Sequence, residues 1–447
     1  MVDTNTPADG EVTELLQTLI RNRCVNDGAV TSGHERRSVD TLSAYLESTP
    51  LDLEVYEPEP GRASLVGRIE GRDPDAPTLL LMGHTDVVPV TEERWTHDPF
   101  GGELIDDHVW GRGAVDMLNL TASMAVATKR LADAGWSPEG TLIYLAVADE
   151  EALGAYGARH LVDAERDAVM ADYVLTEAGG FPIPMPDGIR LPVIVGEKGT
   201  AWCRLTVRGT AGHGSQPYKT DNAVVTAAEV VRRIAEHQPE SQIHDVFRAF
   251  LEGLGLPEEM TGPLLSPESL DAALEALPLG MARQFHACTH TTMSPNVVHG
   301  GTKLNTIPDH VELEVDIRTL PGQTTEQAHD VLRDALGDLV DQVDITEVES
   351  DAATASPVDT PLWDTLGRVT ESFYAGSAIV PYLTVGATDA RFFRQAGGVA
   401  YGSGLFSQKL SFEDYGTMFH GDDERVDVES LALSTQLWDA VARDLLG

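Results

Sequence analysis

Apolar residues recur along this chain in two periods, and the alternation between them predicts its architecture. Residues 12–23 and 35–46 carry them at helical spacing, and two strand-like runs, 51–56 and 63–69, flank the turn-forming segment PEPGR. The run TLLLMGHTD, residues 78–86, is almost continuously apolar until its last positions and reads as a buried parallel strand. Residues 119–131 are helical and rich in Ala and Met, 141–148 form a second buried strand, and 156–164 another helix. Up to residue 195 this alternation predicts an α/β domain with a mostly parallel sheet flanked by helices on both faces.

After Lys198 the texture changes. Residues 202–208 alternate as a half-buried antiparallel strand does. A Gly-rich turn (209–215), a helix (222–236), strands at 289–298 and 311–319, a helix (324–339) and a strand (343–348) follow. This β-α-β-β-α-β order predicts an inserted ferredoxin-like α+β module, with residues 240–283 as an extra helical insertion within it. The chain then returns to the earlier style, with helices over 357–373 and 386–395, a strand at 399–404 and an amphipathic helix over 428–446. The expected division is a first domain in two parts, 1–198 and 353–447, around a module spanning 199–352.

Charge narrows the picture further. Against 72 Asp and Glu stand 31 Lys and Arg, a formal net charge of -41 over 447 residues, with the acids scattered rather than gathered in a tail. Self-repulsion of that size favours a medium in which salt screens it, so a halophilic, salt-requiring protein is expected. The same field repels phosphates, which argues against nucleic acid and anionic membranes as partners. No apolar run reaches the roughly 20 residues of a membrane span, and the acidic start MVDTNTPADGE lacks the order of a signal peptide, so a cytoplasmic protein is expected. Cys24, Cys203 and Cys288 are widely spaced and read as reduced, buried thiols.

The chemistry-bearing residues gather at the ends of the predicted strands. Gly83, His84, Thr85 and Asp86 end the first buried strand, where open α/β sheets place ligands. Asp116 follows a Gly-rich loop, Glu150 and Glu151 end the strand at 141–148, Glu177 lies in DYVLTEAGG, and His420 in GTMFHGD. Two His and several carboxylates suit zinc, cobalt or manganese. Asp86, two residues past His84, is placed to orient that imidazole, and is equally suited to capping a turn. Asp116 precedes a helix, where an acid often serves as a cap. Adjacent carboxylates such as Glu150 and Glu151 repel each other unless a cation or a proton neutralises one, although they also suit the start of a helix.

The ordered motifs GHTD, GRGxxDM, DEE, TEA and a late FHG, interrupted by a segment with GHGS, resemble the co-catalytic zinc peptidase family of aminoacylase, carboxypeptidase G, succinyl-diaminopimelate desuccinylase and acetylornithine deacetylase. The resemblance runs from about Val12 to the C-terminus. It implies two divalent ions, one held by His84, Asp116 and Glu177 and the other by Asp116, Glu151 and His420. It implies further that Glu150 is the base that activates water and that Asp86 orients His84. The ferredoxin-like module becomes a lid and dimerisation domain, from which His213 reaches into the partner's active site of a homodimer. A lone His in a Gly-rich turn is otherwise more often idle. Arg318 and Asn305 resemble lid residues that hold the substrate's carboxylate, and Gly402, Ser403 and Gly404 a loop that offers it backbone N–H groups; for Arg318 a surface ion pair is the plain alternative. The implied activity is hydrolysis of N-acyl amino acids or small peptides with a free carboxylate. Desuccinylation of succinyl-diaminopimelate, deacetylation of acetylornithine, and a catalytically silent metal-binding protein on the same fold remain as alternatives.

Overall fold

The computed structural model describes residues 8–409 and 411–447. Its first domain is built on a ten-stranded sheet whose middle runs in the order Thr141–Val147, Thr78–His84, Tyr173–Thr176, Val399–Gly402, with all three of these pairings parallel. Leu80 lies opposite both Ile143 and Val174. Helices cover both faces, so residues 79–84 and 142–147 are buried throughout, which explains why these strands read as unbroken apolar runs. An antiparallel hairpin, Asp52–Glu59 with Arg62–Ile69, extends one side, and on the other Gly188–Glu197 takes Ala378–Thr384 in parallel.

The two faces carry separate cores. On one, helices Leu118–Asp133 and Val428–Leu446 pack together, with Trp438 fully buried and its Nε1–H donated to Ser123 Oγ at 2.8 Å. On the other, helices Ala158–Ala164 and Ala390–Gln395 cover the sheet through Leu161, Val162 and Phe393. Among the described residues no helix is long and apolar enough to cross a membrane. Cys24, Cys203 and Cys288 are buried free thiols.

The strands and helices between residues 199 and 236 and between 292 and 351 form the ferredoxin-like module. Four antiparallel strands lie in the order Thr292–Gly300, His310–Thr319, Gly199–Arg208, Val343–Asp351. Helices Ala223–Glu236 and Thr325–Leu336 pack on the sheet through Val230, Ile234, Leu332 and Leu336.

Three expectations need correction. The segment 240–283 does not pack within this module. Its helix Asp245–Gly253, with Pro267–Glu275 and the following Leu279–Thr289, covers the first domain, where Phe247, Phe250, Leu270 and Phe285 share a core with Ile194, Val380 and Tyr382. The apolar side of Ala378–Thr384 needs a cover, and these amphipathic helices supply it. The strand expected from residue 289 starts at Thr292, because helix Leu279–Thr289 runs on through Thr289. The helix expected over 386–395 starts only at Ala390, which leaves Gly386, Ala387 and Thr388 free to line a cavity.

Candidate dinuclear metal centre and active-site cavity

His84 is positioned by the close approach of a helix. A Cβ on Gly83 would lie 2.4 Å from Thr121 Oγ1, so only glycine lets helix Leu118–Asp133 come near enough for that hydroxyl to donate to the His84 carbonyl at 2.8 Å. His84 Nδ1–H donates to the Asp86 carbonyl at 2.9 Å, which fixes the tautomer and turns Nε2 to the acids. Nε2 lies 3.2 Å from Asp116 Oδ1 and 3.6 Å from Glu177 Oε2.

Asp116 has its second oxygen on another imidazole. Its Oδ2 lies 3.3 Å from His420 Nε2, which in turn lies 3.2 Å from Glu151 Oε2. The ligand atoms of His84, Asp116 and Glu177 lie within 4.8 Å of one another, as do those of Asp116, Glu151 and His420. Helix capping does not occupy Asp116, since the cap position is Met117. The Asp116 loop is held instead by Glu424, a buried carboxylate that the sequence reading passed over. It accepts the N–H groups of Gly113, Val115 and Asp116 at 3.0, 2.6 and 2.9 Å and Arg112 Nη1 at 2.7 Å.

Glu150 and Glu151 open a single 3₁₀ turn behind Asp149, which adopts the left-handed conformation at φ 72°. Of the two roles open to Asp86, its carboxylate takes the turn-holding one. Its carboxylate stands 3.6 Å from His84 Nδ1 and instead accepts the N–H groups of Glu150 and Glu151 at 3.3 and 3.1 Å and Asn26 Nδ2 at 2.8 Å. Asn26 also reaches Asp149 at 3.2 Å, and Arg62 joins Asp149 at 2.6 Å to Glu35 at 2.7 Å. This buried network sets the turn from behind. Only Asp149, the first acid of the ADEE string, carries a local sequence signal for it; Asn26, Glu35 and Arg62 are remote.

The electrostatics call for cations. Burial, and then the neighbouring Glu177, raises Glu150 well above the usual carboxylate range. Burial and Asp116 push Glu151 up to about 7, and burial raises Glu177. Hydrogen bonds to Asp116 and Glu151 carry His420 to about 10. Burial opposes the charge on both His84 and Asp116, yet their mutual contact and their other partners keep His84 raised and Asp116 lowered. Glu151 Oε1 is buried without a hydrogen-bond partner. A nitrogen and oxygen donor set with excess buried carboxylate and an unsatisfied oxygen fits divalent ions.

These acids and His420 line one part of a cavity of about 890 Å³. Arg318 reaches it from the ferredoxin-like module, stacked on Trp202 at 5.4 Å and paired with Asp316 at 2.7 Å. Arg318 thus lines the cavity while it pairs with the half-buried Asp316, and Nη1 has no protein partner among the described residues. His213 and Asn305 are not in the lining. His213 is exposed on the short strand Gly212–His213, 2.8 Å from Ser215 Oγ, and Gly214 N–H bonds the Asn305 carbonyl at 2.8 Å beside it. Gly402, Ser403 and Gly404 also lie outside the lining, which corrects their expected place: the loop is buried beside the end of strand Tyr173–Thr176, which leads into Glu177. A Cβ at Gly402 would stand 2.0 Å from the Glu177 carbonyl, and Ser403 N–H is spent on the Thr176 carbonyl at 3.1 Å. Thr388, left without a role by sequence, lines the cavity while its N–H and hydroxyl bond Glu197 at 2.6 and 2.9 Å.

Comparison with known proteins places this geometry. The chain is 28% identical over 390 residues to the N-fatty-acyl-amino acid synthase/hydrolase PM20D1 of Xenopus tropicalis, covering 85% of this chain and 74% of that protein. It is 27% identical over 358 residues to a probable succinyl-diaminopimelate desuccinylase of Staphylococcus aureus, covering 79% and 80%. Among solved structures it shares its fold with an M20 family metallo-carboxypeptidase from Sulfolobus solfataricus, at TM-score 0.70 and 17% identity over 99% of both chains. The dipeptidase Dug1p of Saccharomyces cerevisiae superposes at TM-score 0.71 and 16% identity over 98% of this chain and 96% of that one. The description Peptidase family M20/M25/M40 matches residues 80–444. With most of its length inside that match and two ligand sets assembled at the strand ends, the chain belongs to peptidase family M20/M25/M40 and is a metal-dependent hydrolase.

Proposed function

We propose that this enzyme hydrolyses the amide bond of N-acyl amino acids or small peptides that carry a free carboxylate. The observation that carries the reading is the division of labour around Asp116: one oxygen faces His84 and Glu177, the other His420 and Glu151, and Glu150 stands outside both sets. His84, Asp116 and Glu177 would hold one divalent ion, and Asp116, Glu151 and His420 a second; zinc suits the donors, as do cobalt and manganese. Two such ions, when bound, polarise a carbonyl and lower the pKa of water.

This chain's own groups do the rest. Glu150, half-buried at 4.0 Å from His84 Nε2 and raised in pKa, is fit to take the attacking water's proton and return it to the departing amine. A binding protein has no need of such a base. Arg318, with Nη1 unengaged, is assigned to the substrate carboxylate. Desuccinylase and deacetylase activities fall within the same chemistry, differing in the acyl or amine group held.

The proposal includes a homodimer through the ferredoxin-like module. Its edge strand Thr292–Gly300 exposes Val297 and Val298, and the neighbouring helix Ala223–Glu236 exposes Val224 and Val225. An unpaired edge flanked by apolar side chains suits pairing with a second copy. His213, exposed and absent from its own cavity, is then assigned to the partner's site as a donor to the developing oxyanion.

A mass-spectrometric screen of N-acetyl, N-succinyl and dipeptide substrates in molar KCl, with zinc or cobalt added, tests the reading. Release of a free amino acid is expected. Intact substrates across the panel from a metal-loaded protein would overturn it.

A further inference from the structure

Most of the cavity is larger than the proposed reaction needs. Its volume of about 890 Å³ lies in the upper part of the roughly 300–1,000 Å³ range in which proteins enclose whole drug-sized ligands. Among the described residues, charge in its wall is confined to the metal-site acids, His420, Arg318 and Arg391. Arg391 is already committed, donating to the carbonyls of Thr388 and Leu153 and pairing with Asp351. The remainder of the wall is uncharged, with Phe181, Ile194, Met281, Tyr382 and Val385 contributing apolar surface.

Part of that surface comes from the segment that left the ferredoxin-like module to cover the first domain. On helix Leu279–Thr289, Gly280, Met281 and Gln284 face the cavity. Phe285 of the same helix turns the other way, into a core with Phe247 and Phe250 at centroid distances of 5.5 and 6.1 Å. Phe250 also packs against Tyr382 at 4.9 Å. The wall is thus backed by a packed core, while Met281 is 37% exposed at its surface. A thioether side chain with three rotatable bonds adapts to apolar groups of varying shape. A second carboxylate entering this region would lose its hydration without gaining a free cation.

We infer that Met281, Gln284 and Tyr382 line a subsite for an extended apolar group of the substrate, and that Met281 sets how long a group it takes. The inference rests on the hydrolase reading above. Two sources supply the same chemistry: an alkyl acyl chain, or a long aliphatic side chain on the amino acid.

Two substrate series separate them, using the metal-loaded enzyme. One runs from N-acetyl through N-butanoyl and N-hexanoyl to N-octanoyl on a single amino acid; the other sets N-acetyl on glycine, aminobutyrate and norleucine. In one series kcat/KM is expected to rise about fourfold per methylene, the ~0.8 kcal/mol of burying a CH2, and that series names the occupant. Met281→Trp is expected to lower the long-to-short ratio at least tenfold, and Met281→Ala to move the optimum to a longer group. Both substitutions lie at a partly exposed position, and unchanged melting temperatures establish that the fold is intact. Flat or falling profiles in both series, or an unaltered ratio in a folded Met281→Trp, would overturn the subsite. N-succinyl or dipeptide cleavage alongside flat alkyl profiles leaves the hydrolase reading standing, whereas silence on every substrate overturns both.

Discussion

The Asp86 carboxylate accepts the backbone N–H of Glu151 at 3.1 Å, so the residue two positions past His84 holds the turn that carries the two central glutamates. Through its carbonyl the same residue fixes the His84 ring. Asp86→Ala keeps the carbonyl and removes the carboxylate. It is therefore expected to leave His84 oriented while loosening Glu150 and Glu151, costing about 10–100-fold in metal affinity or turnover. Competition with a fluorescent chelator reads the affinity, and wild-type values in both measures would return Asp86 to a passive role.

Lys198 gives a pH dependence remote from the metal ligands. It is buried where the first domain meets the module, and Nζ donates to the carbonyls of Ala287 and His290 at 2.8 and 2.7 Å and to Thr292 Oγ1 at 3.2 Å. Burial lowers its pKa from 10.5 to about 7. Between about pH 7 and 10.5 the unfolded chain therefore binds the extra proton, so stability from this group rises with pH across that window and is constant below it. Denaturant unfolding at pH 7, 8 and 9 is expected to show a steeper rise for the wild type than for Lys198→Met. Parallel curves would place the folded pKa near its ordinary value.

A net charge of -41 on this fold predicts a salt requirement. Screening shortens the Debye length from about 10 Å at 0.1 M to about 3 Å at 1 M, so repulsion among surface acids falls steeply. The melting temperature is expected to rise between dilute buffer and molar KCl. Equal melting temperatures would remove the halophilic reading.

How legible all this is from sequence depends on how local each cause is. Strand ends and turns rich in His and acids stand out because apolar runs stop near them, so His84, Asp116, Glu150, Glu151, Glu177 and His420 were readable as candidates, and the resemblance supplied their division into two sets that share Asp116. The destination of the Asp86 carboxylate was not readable, because it depends on a turn 64 residues away. The Glu35, Arg62, Asp149 and Asn26 network joins four segments that are distant in sequence, mainly through side chains. Strand Ala378–Thr384 was hidden by Pro381, a residue that argues against a strand interior. With that strand unseen, nothing in the sequence indicated which surface residues 240–283 would cover. Gly402 and Gly404 matched a substrate loop in pattern, while the small size of Gly402 serves its close approach to the Glu177 carbonyl and that of Gly404 its packing on Phe406 and Leu120.

Arg318 and His213 make opposite kinetic predictions. Arg318→Ala removes a charge assigned to binding and is expected to raise KM about tenfold or more for carboxylate-bearing substrates, with a smaller change in kcat. His213→Ala is expected to lower kcat about 100-fold while leaving the proposed homodimer intact by light scattering. A KM unchanged in the first, or a fully active monomer in the second, would return the residue to a structural part.

The central claim is that Glu150 is the proton carrier and not a ligand. Metal content and turnover measured on the same samples of wild type and Glu150→Ala test it most directly. Two ions per chain in both proteins, with turnover reduced at least about 100-fold in the variant, is the predicted result. A variant that keeps its ions and still hydrolyses at the wild-type rate would contradict it and move the base to another group.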